Sequence, residues 1–136
     1  MPETQYIFEY NDYPLIPIKF FSKTRETPII EALLDSGGDF IVIPNAIARY
    51  LGLELLQASC VDTAGGETTL CKSYVKMVIH GKRNKFTYDD LEIHVSDRND
   101  IPVLLGRKPI FEDHEIIFKK YENKLILQPI KQQPNI

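Results

Sequence analysis

The sequence predicts an all-β domain, a small barrel that is closed or partly closed. Three observations support this fold class. Short runs rich in β-branched and aromatic residues dominate the chain, turn residues separate these runs, and only two segments break the pattern. The chain has 136 residues, of which 43% are hydrophobic and 26% charged, which is the size and composition of a single domain with its own core.

The predicted strands follow one another with few interruptions. We place them at residues 5–10, 15–22, 28–35, 39–43, 57–63, 68–80, 85–95, 115–120 and 124–128. A turn at Lys23–Thr27 joins the second and third strands into a hairpin. Residues 1–128 are therefore expected to form one domain, and residues 129–136, with two prolines, a flexible C-terminal tail.

Two segments are predicted to be helical. In the first, PNAIARYLGL, Pro44 suits the first turn and Gly52 suits the C-terminal end. Ile47, Tyr50 and Leu51 would share its apolar face. The second segment, GRKPIFEDH at residues 106–114, is predicted to form another short turn of helix.

The charge balance and the apolar runs exclude several kinds of partner. The chain carries 16 basic and 19 acidic residues, so it has no basic excess for nucleic acid or an anionic membrane surface. Its apolar runs are too short to span a bilayer. The N-terminal MPETQYIFEY lacks the basic and apolar regions of a signal peptide. We therefore expect a cytoplasmic protein with no nucleic-acid and no membrane partner.

No motif for a metal or cofactor is present in the sequence. The two cysteines do not make a zinc site on their own, and the three histidines are scattered. The glycine-rich nucleotide-binding patterns and the nucleophile elbow are absent. We expect neither a metal nor a cofactor.

Residues 30–44, IEALLDSGGDFIVIP, carry the most informative chemistry. One apolar strand delivers Asp35 to a Ser-Gly-Gly turn, and a second apolar strand leaves that turn. Gly37 and Gly38 permit a positive φ and the close approach of another backbone. The same four residues also make an ordinary β-turn, so the tetrapeptide alone leaves a structural role open.

Three motifs of the sequence resemble those of retropepsin-like aspartic proteases. The segment Leu33–Asp39 (LLDSGGD) resembles the Asp-Thr/Ser-Gly-Ala motif of that family, with Gly38 where alanine is usual. Val61–Thr68 (VDTAGGET) is similar to its glycine-tipped flap hairpin, and Val103–Arg107 (VLLGR) to the stretch before its C-terminal helix. With the closing strand, the resemblance covers residues 15–128. The predicted helix after the first motif is more similar to the cellular and microbial members than to the compact viral enzymes.

The resemblance implies a fold and a set of site residues. The fold would be a small closed barrel of the retropepsin type, with a flap hairpin and one or two short helices. The catalytic residues would be Asp35, Ser36 and Gly37. The substrate-binding residues would be Leu33, Gly38, Asp39, Val42, Ala64, Gly65, Gly66, Glu67 and Leu104. Gly106 and Arg107 would support the site, with Arg107 pairing with Asp39, and no metal or cofactor would be needed.

A single Asp-Ser-Gly motif implies a homodimer, because the reaction of this family needs two aspartates. The two Asp35 carboxyl groups would share one proton and activate a water for attack on a peptide bond. The terminal strands at 5–10 and 124–128 are the candidates for a dimer sheet. Two alternatives remain: a catalytically weak or inactive module that binds peptide or dimerises, and an unrelated β-barrel binding domain with Asp35 in an ordinary turn.

Cys60 and Cys71 would face each other if the flap turn is centred between Gly65 and Gly66. They could form a cross-strand disulfide or remain two thiols. A two-residue loop would place them at a hydrogen-bonded pair, and a four-residue loop at a non-hydrogen-bonded pair with closer Cα atoms. Because a reducing cytosol favours free thiols, our hypothesis is a reduced pair.

Overall fold

The structure, a computed structural model, describes residues 4–130 of the chain. Within this range the chain forms ten strands and one α-helix. The strands are β1 Tyr6–Glu9, β2 Leu15–Phe21, β3 Ile30–Leu34, β4 Ile41–Pro44, β5 Leu56–Asp62, β6 Thr69–His80, β7 Lys85–Ser96, β8 Leu104–Leu105, β9 His114–Lys119 and β10 Lys124–Pro129. The helix α1 is Asn45–Leu51, and two short helical turns lie at Arg107–Phe111 and Lys120–Glu122. No helix within this range is long and apolar enough to cross a membrane.

Six strands close into a barrel, as the sequence predicts. They follow the order β2, β3, β8, β4, β7 and β6, and a second pairing of β2 with β6 closes the ring. Ile18 of β2 lies at this closure, opposite Ile30 on one side and Ile79 on the other. β5 is added outside the ring as the edge strand next to β6.

The barrel interior is filled by aliphatic and aromatic side chains from alternate strand positions. In β2, Ile16, Ile18 and Phe20 are fully buried while their neighbours are partly exposed. This alternation is the period of a strand with one buried face. Burial of each large side chain contributes about 1.5–3 kcal/mol, and these residues belong to one continuous hydrophobic core.

The two terminal strands pair with each other within the chain. β10 lies between β1 and β9 in a separate three-stranded sheet, in which Tyr6 opposes Leu127. The other edge of β1 contacts the turn after β6, where the Ile7 carbonyl accepts the Lys82 N–H at 2.9 Å. In the described part of the chain, β1 and β9 are therefore the two edges of this sheet, and the outer side of β1 is bonded by the turn after β6 whereas that of β9 is not.

The predicted tail begins inside this sheet. β10 continues to Pro129, and the Ile130 N–H donates to the Asp113 carbonyl at 2.9 Å. Residues 131–136 of the predicted tail, and residues 1–3 of the predicted domain, lie outside the described residues.

The helix α1 forms where it was expected, and Ile47 and Leu51 of its predicted apolar face pack on the core, whereas Tyr50 does not. It begins after Pro44 and ends at Gly52, whose φ of 69° closes the helix. Ala48 and Leu51 are buried, whereas Tyr50, predicted on the apolar face, is 45% exposed. The Tyr50 hydroxyl donates to the Glu26 carbonyl at 3.0 Å, so the phenol reaches over the β2–β3 turn rather than into the core.

The hairpin of β5 and β6 contains the two cysteines, and the hypothesis of a reduced pair is wrong for this structure. Cys60 and Cys71 form a disulfide, with their Cα atoms 4.1 Å apart. The predicted register is present, because Val61 opposes Leu70 and Asp62 opposes Thr69. The Thr63 N–H donates to the Thr68 carbonyl, which leaves a four-residue loop and places the cysteines at a non-hydrogen-bonded pair.

Candidate active site

Asp35 lies immediately after β3, at the point where β3 runs parallel to β8. Leu33 opposes Leu104 and Leu34 opposes Leu105 in this pairing. The Leu33 N–H donates to the Val103 carbonyl, and the Asp35 N–H donates to the Leu105 carbonyl, each at 2.9 Å. The backbone of Asp35 is thereby fixed by the β8 ladder although its side chain lies in a turn.

The turn after Asp35 is organised around the Asp35 carboxylate. Its Oδ1 accepts the Gly37 N–H at 3.0 Å, and its carbonyl accepts the Gly38 N–H at 3.2 Å. An aspartate that bonds the backbone two residues on is typical of an Asx-turn. These bonds hold one carboxylate oxygen and leave the other without a hydrogen bond from this turn.

Gly37 and Gly38 adjoin the Asp35 carboxylate, and neither adopts a left-handed backbone. Neither has a positive φ, so that part of the prediction is wrong. A Cβ at Gly37 would lie 3.4 Å from Asp35 Oδ1, and a Cβ at Gly38 would lie 3.3 Å from Asp35 Oδ2. Both glycines therefore border the carboxylate directly, and Gly38 leaves a gap where a methyl group would touch its second oxygen.

Gly106 and Arg107 support the turn from the end of β8. A Cβ at Gly106 would lie 2.8 Å from the Phe40 nitrogen and 2.9 Å from the Gly38 carbonyl oxygen, which only a glycine avoids. The Arg107 N–H donates to the Gly38 carbonyl at 2.9 Å, and the Lys108 N–H donates to the Asp39 carbonyl at 2.8 Å. The two segments thus form one backbone-bonded unit.

A side-chain ion pair spans the same unit. The Arg107 guanidinium bonds the Asp39 carboxylate through Nη2 and Oδ1. Both side chains are more than half exposed, at 56% and 66%. Ion pairs with this exposure contribute little to stability, so this pair orients the two side chains more than it holds the fold together.

Three apolar residues that the sequence assigned to substrate binding lie side by side. Leu104 of β8 opposes Leu33 of β3 and Val42 of β4. All three are partly exposed rather than fully buried. Leu33 lies in the strand that enters the Asp35 turn, Val42 in the strand that leaves it, and Leu104 in β8 between them. Ser36, at the tip of the turn, is exposed.

The glycine-tipped hairpin is a separate element. Gly65 and Gly66 have φ values of 97° and 71°, and the Gly66 N–H donates to the Thr63 carbonyl at 2.9 Å. The tip from Ala64 to Glu67 is exposed. Among the described residues, no hydrogen bond or ion pair joins this tip to the Asp35 turn. One chain thus brings together the residues around Asp35, whereas the four hairpin residues of the predicted site make no bond to them in the described chain.

Other concave features of the molecule lie away from Asp35. A cavity of about 620 Å³ is bordered by β1, β2 and the turn after β6, and its lining includes Tyr13, Ile29 and His80. None of the predicted site residues lines this cavity. Across residues 4–130, no group of three or more His, Cys, Asp or Glu side chains is arranged to hold a metal ion.

Several residues that position the site were missed from the sequence. β8 has only two residues, too few to produce a pattern, yet the Leu105 carbonyl holds the Asp35 backbone. Phe40 was also missed as a support: its ring stacks on His94 with 4.3 Å between centroids, and Lys108 lies 5.7 Å from its centre. The resemblance of VLLGR was the signal that could have located β8, whereas no local signal indicated the Phe40–His94 contact.

Solved structures of retropepsin-like proteases have the same fold. A retropepsin-like aspartic protease from Rickettsia conorii matches with a TM-score of 0.62 at 16% identity, over 94% of this chain and 93% of that chain. The retroviral protease-like domain of Ddi1 from Leishmania major matches with a TM-score of 0.56 at 13% identity, over 91% of this chain and 98% of that one. The EIAV protease, in complex with the inhibitor HBY-793, matches with a TM-score of 0.51 at 20% identity, over 77% of this chain and 91% of that one.

The sequence itself matches a protein-family model. No curated protein matches the chain significantly. The model for the aspartyl protease family, however, matches residues 23–108, which contain the Asp35 turn, the hairpin and the VLLGR segment. The prediction of a retropepsin-like aspartic protease is therefore confirmed at the level of family and fold, and the chain belongs to the aspartyl protease family.

Proposed function

We propose that this chain is a homodimeric aspartic endopeptidase in which two Asp35 carboxyl groups activate the attacking water. The observation that carries this proposal is the setting of Asp35. Its Oδ1 accepts the Gly37 N–H, and its backbone is tied to the Leu105 carbonyl. This arrangement lies within the part of the chain that matches the aspartyl protease family. A positioned carboxylate whose second oxygen is not bonded by its own turn suits general acid–base chemistry at this position.

The reaction needs a second Asp35 from a partner subunit. Two carboxyl groups about 3 Å apart cannot both ionise, so the pair would hold one shared proton. One carboxylate would take a proton from a water, and that water would attack the peptide carbonyl carbon. The protonated carboxyl would donate to the developing oxyanion, and a proton would then pass to the leaving nitrogen. The titration behaviour would belong to the pair and to neither Asp35 alone.

The sequence of β9 supports dimer formation along its edge. β9 is one of the two edges of its sheet, and among the described residues its outer side, unlike that of β1, is not bonded to a neighbouring turn. If two copies paired in antiparallel fashion about Ile117, each Glu115 would oppose a partner Lys119, and each Ile116 would oppose a partner Phe118. A two-fold interface requires such self-complementarity. Phe118 is 51% exposed in the single chain, so this contact would also bury apolar surface.

The hairpin of β5 and β6 would serve as the flap over an extended peptide. Its exposed tip presents the backbone groups of Ala64–Glu67, with Gly65 and Gly66 in the left-handed region. Backbone groups of this kind add hydrogen bonds to an extended strand of substrate. The partly exposed Leu33, Val42 and Leu104 would contact apolar side chains of that peptide. The proposed substrates are therefore extended, mostly apolar segments of peptides or proteins.

One observation favours a second candidate, a module that binds peptide and dimerises with weak or no catalysis. Gly38 lacks the methyl group that would lie 3.3 Å from Asp35 Oδ2. Without this contact one side of the carboxylate is less confined. The cytoplasmic location expected from the composition stays a prediction, as does the absence of nucleic-acid and membrane partners.

The test compares the wild-type chain with Asp35→Asn on a peptide library between about pH 3 and pH 8, the range in which carboxyl pairs titrate. The proposal predicts cleavage by the wild type and a loss on the order of a thousandfold in the variant. Cleavage by both proteins would exclude catalysis by Asp35. Peptide binding without cleavage by either protein would favour the second candidate. Mass in solution is measured in parallel, and a monomer at the working concentration would contradict the dyad.

A further inference from the structure

The disulfide between Cys60 and Cys71 lies where the backbone ladder of the hairpin is interrupted. Regular pairing of β5 with β6 occurs at Leu56 opposite Lys72 and resumes only at Val61 opposite Leu70, with a register shift between them. In the gap, the Lys72 N–H donates to the Ser59 hydroxyl at 2.8 Å instead of to a backbone carbonyl. The disulfide is thus the covalent link between the strands in the irregular part of the hairpin, beside this one side-chain bond.

Few other contacts secure the outer part of this hairpin. β5 is the edge strand of its sheet and pairs only with β6 in the described chain. Beyond the disulfide, the outer hairpin is joined by two strand pairs, by the bond from the Thr63 N–H to the Thr68 carbonyl, and by the bond from the Thr69 hydroxyl to the Asp62 carboxylate at 2.9 Å. Val61 is 59% exposed, so it adds little apolar burial here. A region with an exposed ladder and little buried surface opens at low free energy unless a cross-link restrains it.

The two sulfur atoms differ in access. Cys60 is partly exposed, and its sulfur lies near the Leu56 carbonyl and the Gln57 side chain. Cys71 is buried and borders a cavity of about 380 Å³ beside Ala48 and Val95. A reductant therefore meets the Cys60 sulfur first, and the Cys71 thiol can stay in its buried site after reduction.

We propose that Cys60 and Cys71 form a reversible redox site that sets the mobility of the hairpin and thereby its hold on a bound peptide. The effect on peptide binding rests on the proposed function of the hairpin as a flap. The disulfide form holds β5 on β6 across the irregular segment and presents a preorganised tip. Reduction releases that restraint, so peptide binding must then order the hairpin, which lowers affinity.

The co-reactant is a dithiol, either a small molecule or a protein with two neighbouring thiols. One of its thiolates attacks the Cys60 sulfur to form a mixed disulfide, and Cys71 leaves as a thiolate that takes up a proton. The second thiol of the reductant then attacks its own sulfur in the mixed disulfide. This step releases Cys60, which is protonated, and leaves the reductant as a disulfide. Two electrons and two protons pass to the chain.

The direct test is hydrogen exchange of the intact chain before and after treatment with dithiothreitol. The expected result is exchange at least about tenfold faster at the Thr63 and Gly66 amides after reduction, since opening frees both donors. The Asp35 amide, which donates to the Leu105 carbonyl in the barrel, should keep its rate. The double variant Cys60→Ala/Cys71→Ala is the matched control. Its amides should exchange at the rates of the reduced protein, and dithiothreitol should not change those rates.

Equal exchange at Thr63 and Gly66 in the two redox forms would overturn the proposal. So would two free thiols that fail to join under mild oxidation, measured by alkylation and mass. Peptide cleavage supplies a separate arm: reduction should raise KM roughly threefold or more, with little change in kcat. If the exchange rates respond and neither form cleaves peptide, the redox site stands and the proposed peptidase function fails.

Discussion

Gly106 packs directly on the backbone of Phe40. A Cβ at Gly106 would lie 2.8 Å from the Phe40 nitrogen and closer still to its carbonyl oxygen. Since these are backbone atoms, no side-chain rotation can relieve such a clash. This contact presses the end of β8 onto the turn that carries Asp35, so it links the barrel to the candidate site.

Gly106→Ala should destabilise the fold by about 2 kcal/mol or more, because the added methyl must push two backbone segments apart. Urea unfolding measures the effect. Gly37→Ala is the matched control, since its Cβ would meet Asp35 Oδ1 at an ordinary 3.4 Å. The control should change stability by less than about 0.5 kcal/mol. Similar losses in the two variants would show that the packing of Gly106 is not special.

Gly38→Ala should change the free energy of unfolding by no more than about 0.5 kcal/mol, because the restriction of the unfolded chain by alanine is offset by a tight contact with the Asp35 carboxylate. The new methyl would lie 3.3 Å from Asp35 Oδ2 and confine the carboxylate. We therefore expect kcat/KM for peptide cleavage to rise roughly threefold, as better positioning of a catalytic group does. A fall in kcat/KM would show that the methyl displaces the carboxylate instead.

Arg107→Ala should separate positioning from stability. Its ion pair with Asp39 is exposed, so the free energy of unfolding should fall by less than about 1 kcal/mol. Peptide cleavage should fall by a larger factor, about tenfold or more, because Asp39 loses the partner that orients it. Asp39→Asn and the double variant complete a cycle. Purely additive effects on kcat/KM in this cycle would contradict a shared role.

His80 should make stability depend on pH. Burial, with help from Lys85 and Lys19, lowers its pKa below the usual value. Its Nε2 is buried and has no hydrogen-bond partner among residues 4–130. Since the folded state then binds fewer protons than the unfolded state, stability should fall as the pH drops from about 7 through the unperturbed pKa near 6.5. Urea midpoints at two pH values measure this slope, which should be shallower in His80→Gln. An unchanged slope would exclude His80 as its source.

Charge reversal on β9 tests the proposed dimer edge. Glu115→Lys would place lysine opposite the partner's Lys119 and should weaken dimerisation roughly tenfold, since like charges directly opposite each other are unfavourable. The double variant Glu115→Lys/Lys119→Glu restores opposite charges and should recover most of the loss. Sedimentation equilibrium gives both dissociation constants. A double variant as weak as the single one would argue for a different interface.

The strands could be predicted because their apolar residues recur at strand spacing, and β2, with Ile16, Ile18 and Phe20 buried, shows why this works. β8 could not be predicted in this way, because two residues make no pattern and the strand is defined only by its pairing with β3 and β4. The helix α1 was found from Pro44 and Gly52, but Tyr50 turned outward to reach the Glu26 carbonyl, a contact distant in sequence.

The candidate site was predictable as a motif but not as a geometry. The residue types around Asp35 indicated the turn. That Gly37 and Gly38 adjoin the two carboxylate oxygens of Asp35 is seen only in the structure. That Cys60 and Cys71 lie opposite each other could be predicted from a turn centred between Gly65 and Gly66. The disulfide between them could not be predicted, because its formation depends on the redox surroundings as well as on the strand register.

Subunit mixing tests the central claim of a shared active site most directly. A fixed amount of wild-type chain is allowed to exchange with increasing amounts of Asp35→Asn, and cleavage of one peptide is measured. If each site needs Asp35 from both subunits, an equal amount of the variant leaves roughly half of the activity, and an excess removes nearly all of it. Activity that stays constant across the whole titration would contradict a site built from two Asp35 residues.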